Sequence, residues 1–273
     1  MLRARLLTAA VALPVLLAAI FFLPDAAFTV MIGILGLWGL YEVYEAMRPL
    51  SAPSILALLI LGLLPLIWLL AGPMFGFYTP PYPDPARSLV ILIAVFAIAM
   101  LNIITVGISG STAIPRGLME VVSGVLYVGP LFPFFALVRN GPNGIALLVL
   151  MLLLVILADT GAFFVGRAIG RHKLAFKVSP GKTIEGAIGG IIASIVGGLI
   201  LRPWLVADWN IARMIVFAAL VAILAIIGDL ANSAFKRVAG VKDSGWIFPG
   251  HGGLLDRTCS LVFAAVLTYY YSR

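Results

Sequence analysis

Residues 235–257 read FKRVAGVKDSGWIFPGHGGLLDR and place six charged residues, with one of the chain's two histidines, in a short stretch of an otherwise apolar protein. Lys236, Arg237, Lys242 and Arg257 are point-like and forked donors suited to phosphate oxygens. Gly245, Gly250, Gly252 and Gly253 let backbone approach a ligand closely, and Asp243, Asp256, Pro249 and His251 are interleaved with them. A tether needs no such mixture, whereas a phosphate and metal site does. Two further acids end apolar runs: Asp159 after MLLLVILA and Asp229 after LVAILAIIG. Ionisable groups beside a bilayer are costly and mark function by default, the alternative being a helix-end charge or an ion pair. Carboxylates gathered at a membrane surface without a histidine or cysteine cluster suit a hard cation such as Mg²⁺ rather than zinc.

A second basic stretch, GRAIGRHKLAFKVSPGKTIEGAIGG, contains Gly-Lys-Thr. It is not a Walker A loop, because the position five residues before Gly181 is Phe176 and no strand precedes it in the pattern. Lys182 and Glu185 stand at the start of the following helix, where backbone N–H groups and the helix dipole favour a nucleotide or lipid phosphate.

The elements that must position these residues are membrane helices. The 273 residues are 63% hydrophobic and 11% charged, far below the roughly 25% charged residues of soluble proteins. Apolar runs predict an all-α, polytopic transmembrane helix bundle of about nine segments, near 6–23, 28–46, 54–71, 88–106, 118–138, 145–165, 185–205, 211–230 and 254–271. The first 150 residues read as a packing scaffold and residues 151–273 as the catalytic part, with cytoplasmic loops 166–184 and 231–253. A cytoplasmic N-terminus leaves only Arg87, Arg139, Arg202, Arg213 and Arg273 outside, so the positive-inside rule sets the orientation. The net charge of +7 is explained by those loops, and no nucleic-acid-binding pattern accompanies it. The basic and apolar N-terminus has the form of a signal peptide, but the apolar segments that follow at once predict a retained helix. One cysteine, Cys259, excludes an intramolecular disulfide. In GGIIASIVGG, Gly189, Ala193 and Gly197, and Gly190, Ser194 and Gly198, form small-residue stripes that serve either packing within the bundle or the interface of a homodimer.

Residues 233–260, SAFKRVAGVKDSGWIFPGHGGLLDRTCS, closely resemble the signature of the phosphatidate cytidylyltransferases, or CDP-diacylglycerol synthases, through Ser233, Lys236, Arg237, Lys242, Asp243, Pro249, His251, Gly252, Gly253, Asp256 and Arg257. Residues 159–190 resemble the family's second block, while residues 1–150 match in hydropathy alone. The resemblance implies transfer of the cytidylyl group of CTP to phosphatidate, in a bacterial inner membrane and from the cytoplasmic side. It implies a metal held by Asp229 and Asp256, Mg²⁺ or else Mn²⁺, with a second, monovalent cation left open. Lys236, Arg237, Lys242 and Asp243 join these aspartates as catalytic candidates, and Lys182, Ser233, His251, Gly252, Gly253 and Arg257 as substrate-binding ones. The partners are CTP, phosphatidate and membrane lipids. The family pattern ends Asp-Arg-x-Asp-Ser, whereas Cys259 stands here in place of the last aspartate, three residues from Asp256 and so on its helix face. A related CTP-dependent lipid kinase of the polyprenol type, or a low-activity lipid-binding paralogue, are the alternative readings.

Overall fold

The unbroken apolar run after Asp25 makes a helix the only local structure that satisfies its backbone in lipid. This is α1, Asp25–Ala46, preceded by a helical stretch over 14–22. The computed structural model describes residues 10, 14–46, 128, 131–247 and 252–272. Pro133, free of any N–H to satisfy, opens the short α2, Pro133–Arg139, and α3 follows over Gly144–Ile169, running without a break across position 150. Two strands, β1 Lys173–Ala175 and β2 Ser179–Thr183, pair antiparallel with Lys173 opposite Thr183 and Ala175 opposite Ser179. Then come α4, Ile184–Leu205, α5, Ile211–Ala239, and α6, Leu254–Tyr271. Thr183 caps α4 by accepting from Gly186 N–H at 3.1 Å, and Asn210 caps α5 by accepting from Arg213 N–H at 2.7 Å.

Among the described residues, four helices are long and apolar enough to cross a membrane: Asp25–Val43, Gly144–Ile169, Ile184–Leu205 and Ile211–Arg237. The protein is an integral membrane protein, mostly helical. The segments expected at 28–46, 145–165, 185–205, 211–230 and 254–271 are each helical. Those at 54–71 and 88–106, with most of 118–138, lie outside the described residues.

Two features differ from an all-helical reading with those boundaries. Residues 173–183 form a hairpin, because Leu174, Phe176 and Val178 alternate with Lys173, Ala175 and Lys177 and Pro180-Gly181 cannot continue a helix. And α5 runs on to Ala239, since LANSAFKRVA remains good helical sequence after the apolar run has ended; it stops at Gly240, whose φ of 72° closes the helix in the left-handed region.

The most extensive packing joins α3 to α4, followed by α5 to α6 and α4 to α5. A Cβ at Gly189 would collide with Val165 and one at Gly190 with the Ala158 carbonyl, both on α3, while one at Gly198 would meet Met214 of α5. Ser194 donates to the Ala218 carbonyl of α5 at 3.0 Å. The small-residue stripes of α4 therefore serve packing within the bundle. At the end where α3 begins, the buried Arg139 pairs with Asp25 and donates to the carbonyls of Ile20 (3.2 Å) and Leu23 (2.5 Å). The hairpin and the α5 terminus lie at the other end of α3.

Candidate functional site

Because α5 continues past residue 230, Asp229, Asn232, Ser233, Lys236 and Arg237 fall at i, i+3, i+4, i+7 and i+8 and line one face of it. The hairpin delivers Lys182 to this face: its Nζ lies 2.6 Å from Asp229 Oδ2 and 3.5 Å from the Ile226 carbonyl. The pair is half-open to solvent, with 40% of the Asp229 side chain exposed. Asp159 of α3 lies within electrostatic reach of Asp229, Lys182 and Arg257. The fourth wall is α6. A Cβ at Gly228 would collide with the Cys259 carbonyl, so glycine there lets α5 and α6 touch backbone to backbone beside Asp229. Cys259 is buried, its thiol 3.8 Å from the Asp256 carbonyl, and it lies within electrostatic reach of Asp229, Lys182 and Lys236.

Asp256 has a different environment. Its side chain is 4% exposed and its two oxygens accept five hydrogen bonds. Oδ1 accepts from Lys236 Nζ at 2.6 Å and Asn232 Nδ2 at 3.1 Å; Oδ2 accepts from Ser244 N (2.8 Å), Ser244 Oγ (3.0 Å) and Gly253 N (3.1 Å). It therefore ties α5, the loop after it and the first turn of α6 into one unit. The remaining N–H groups of that first turn, Leu254 and Leu255, donate at 2.7 and 2.9 Å to Glu42, a buried residue of α1.

The other expected residues are distributed around these two clusters. Ser233 is half-buried on the α5 face, and Arg237 donates through Nε to the Val178 carbonyl at 3.2 Å, joining α5 to the hairpin turn. Lys242 and Asp243 are exposed on the loop, and Arg257 is exposed on α6. Gly252 has a φ of 81°, and a Cβ there would stand 2.6 Å from Asp256 Oδ2, so only glycine fits. Gly253 is the N-cap of α6. His251 lies outside the described residues. Sequence reasoning left Asn232, Ser244 and Glu42 out of the site. A longer α5 would have put Asn232 in register with Asp229, and Glu42 carried the warning that any acid inside an apolar segment carries.

Among the described residues, no group of three or more His, Cys, Asp and Glu side chains converges on one point. That is not the donor set of an all-protein metal cage. Asp229 with Asp159 beside it does suit Mg²⁺, which takes one or two carboxylates and completes its shell with water and substrate phosphate.

Residues 3–273 match the model of the cytidylyltransferase family. The chain belongs to that family. Among curated members, it is 46% identical over 134 residues to the phosphatidate cytidylyltransferase of Haemophilus influenzae, a stretch covering 47% of this chain and 46% of the relative. It is 43% identical over 143 residues to the phosphatidate cytidylyltransferase of Staphylococcus haemolyticus, covering 52% and 54%. The matched stretch spans about half the length of these relatives. In this cytidylyltransferase-family member, Lys236 and Gly253 of the 233–260 stretch bond Asp256 and Gly252 packs against it, and the 159–190 stretch brings Asp159 and Lys182 to Asp229.

Proposed function

We propose that the protein transfers the cytidylyl group of CTP to phosphatidate, giving CDP-diacylglycerol and pyrophosphate. The observation that supports this most is the Lys182–Asp229 pair standing beside Asp159 and Arg257 in a membrane helix bundle of the cytidylyltransferase family. In the reaction a phosphate oxygen of phosphatidate attacks the α-phosphorus of CTP; a new P–O bond forms, the bond from the α-phosphorus to the α–β bridging oxygen breaks, and its electron pair leaves on pyrophosphate. Anion meets anion, so the protein's task is positioning and charge neutralisation. A phosphate monoester with a second pKa near about 6 is already dianionic at neutral pH, so no general base is required.

Lys182 and exposed Arg257 are the cations beside the carboxylates that would meet a polyphosphate, exposed Lys242 of the following loop is a further candidate, and Arg237 holds the hairpin that carries Lys182. Mg²⁺, or Mn²⁺ in its place, would be held by Asp229 with Asp159 and would supply a Lewis acid that offsets phosphate charge. Asp256 reaches such a cation only by surrendering one of its five donors, so we assign it to fixing Ser244, Gly253 and Lys236 in place. The hairpin and the loop after Gly240, which carry Lys173, Lys177, Lys182 and Lys242, lie at one end of the bundle, which supports a cytoplasmic site; a cytoplasmic N-terminus and the nine-segment topology in a bacterial inner membrane complete the proposal.

The test is direct. Purified protein in detergent receives CTP, phosphatidate and Mg²⁺ or Mn²⁺, and CDP-diacylglycerol with pyrophosphate is expected. Release of CDP with a polyprenol acceptor would show the lipid kinase instead, and phosphatidate binding without any product would show a lipid-binding paralogue.

A further inference from the structure

Glu42 belongs to none of the motifs, and only 2% of it is exposed. It lies 212 residues before Leu254, whose N–H it accepts at 2.7 Å. Four donors meet its carboxylate: Leu254 N and Trp38 Nε1 (3.1 Å) on Oε1, and Leu255 N and Ser244 Oγ (3.4 Å) on Oε2. The N-cap of α6 is Gly253, which has no side chain to satisfy the orphan N–H groups of the first turn, so the cap comes from another helix. A carboxylate there also meets the positive end of the helix dipole. The fit leaves no spare room: a Cβ at Gly245 would stand 2.5 Å from Glu42 Oε1, one at Gly253 would collide with Oε2, and Trp38 meets Trp246 of the loop edge-on at 6.5 Å.

We infer that Glu42 is a positioning residue for the reaction, through which α1 fixes the loop and the α6 N-terminus that carry Asp256. This rests on the site proposed above. The path of the effect is explicit. The Ser244 hydroxyl has one proton and two carboxylates within reach, Asp256 at 3.0 Å and Glu42 at 3.4 Å, and Ser244 supplies two of the five hydrogen bonds on Asp256. Asp256 in turn holds Lys236. Displacing Glu42 therefore moves Ser244, and Asp256 and Lys236 with it.

Glu42→Gln keeps the shape and one acceptor oxygen but turns an NH₂ group toward N–H donors. In the full-length protein in detergent it should lower kcat for CDP-diacylglycerol synthesis at least about tenfold, the scale of a misplaced reacting group, while KM for CTP stays within about threefold. Its unfolding midpoint should fall, but by less than that of Asp256→Asn, because no buried cation loses its anion. Hydrogen exchange should speed at least tenfold in peptides covering 244–258 and stay unchanged along α3 and α4. Combining it with Ser244→Ala should cost little beyond the worse single variant, because both act through one contact. Parental kcat, exchange that speeds along every helix, or losses that multiply in the double variant would each overturn the inference. If the parent itself forms no product, the activity reading fails and the exchange measurement decides alone: local speeding upholds the brace, and no change refutes it.

Discussion

Asp229 and Asp256 were expected to act as a pair, and their surroundings divide them. Asp229 is partly open and bonded to one lysine, whereas Asp256 is enclosed and bonded five times. Asp229→Asn should lower turnover at least about a hundredfold, as removal of a principal electrostatic stabiliser does, and Asp256→Asn should lower it as well by letting Ser244, Gly253 and Lys236 move out of place. Only Asp256→Asn should also lower the unfolding midpoint, since it turns an amide toward buried donors and leaves Lys236 without its anion; breaking such a pair costs about 3–5 kcal/mol. Turnover and thermal unfolding in the same detergent check both statements. Cys259 offers a sharper test. It stands beside Asp229 on the face shared with Asp256, so Cys259→Asp adds an oxygen donor at the proposed metal site. That variant should gain more thermal stability from added Mg²⁺ than the parent does and turn over faster, while Cys259→Ser stays close to the parent. An inactive Cys259→Asp protein that Mg²⁺ does not stabilise would show that the family pattern does not carry over at this position.

Helix boundaries decided how much of this could be read in advance. The apolar run that predicts a segment over 211–230 is a record of lipid contact, whereas the helix is a record of backbone bonding, and α5 continues to Gly240 because nothing in LANSAFKRVA stops it. Asn232 and Lys236, which join Asp229 on one face, lie in that extra length. The hairpin was legible in its alternation and was overlooked because it lies inside a loop expected from hydropathy alone. Close approach of α5 and α6 rests on a single atom's worth of space at Gly228. Gly228→Ala should therefore cost roughly 1–3 kcal/mol of stability and reduce turnover by pushing Asp229 away from α6. Denaturant unfolding with activity measured on the folded fraction separates the two effects, and a fully active variant would show that the helices can part without harm.

Across the whole molecule, the hairpin and the α5 terminus share one end, and the turn between α4 and α5 lies at the other. In a Cys259→Ser background, Gly181→Cys, which enters open space, should resist an impermeant thiol reagent in intact cells and react in inverted vesicles; Asp208→Cys in the α4–α5 turn should do the reverse. Labelling of Gly181→Cys from outside would contradict the orientation and the proposed site with it. Local spacing made the membrane class and the last four segments legible, and it singled out the charged residues that lie around Asp229 and Asp256. It could not reveal that an acid on α1 caps α6, because two positions separated by 212 residues leave no periodic trace of their contact.

The Lys182–Asp229 pair carries a thermodynamic consequence. A carboxylate already matched to an ammonium group presents little net charge to a free divalent ion, which must evict the lysine to gain the oxygen. A nucleotide triphosphate offers that lysine a new anion and so releases the carboxylate. Cation and nucleotide thus favour each other, and the coupling is reciprocal: each raises the other's affinity by the same factor. Calorimetry should show Mg²⁺ binding weakly alone and at least about tenfold more tightly with a non-hydrolysable CTP analogue present, a coupling of about 1.4 kcal/mol. Lys182→Met should bind Mg²⁺ alone more tightly than the parent and lose most of that coupling.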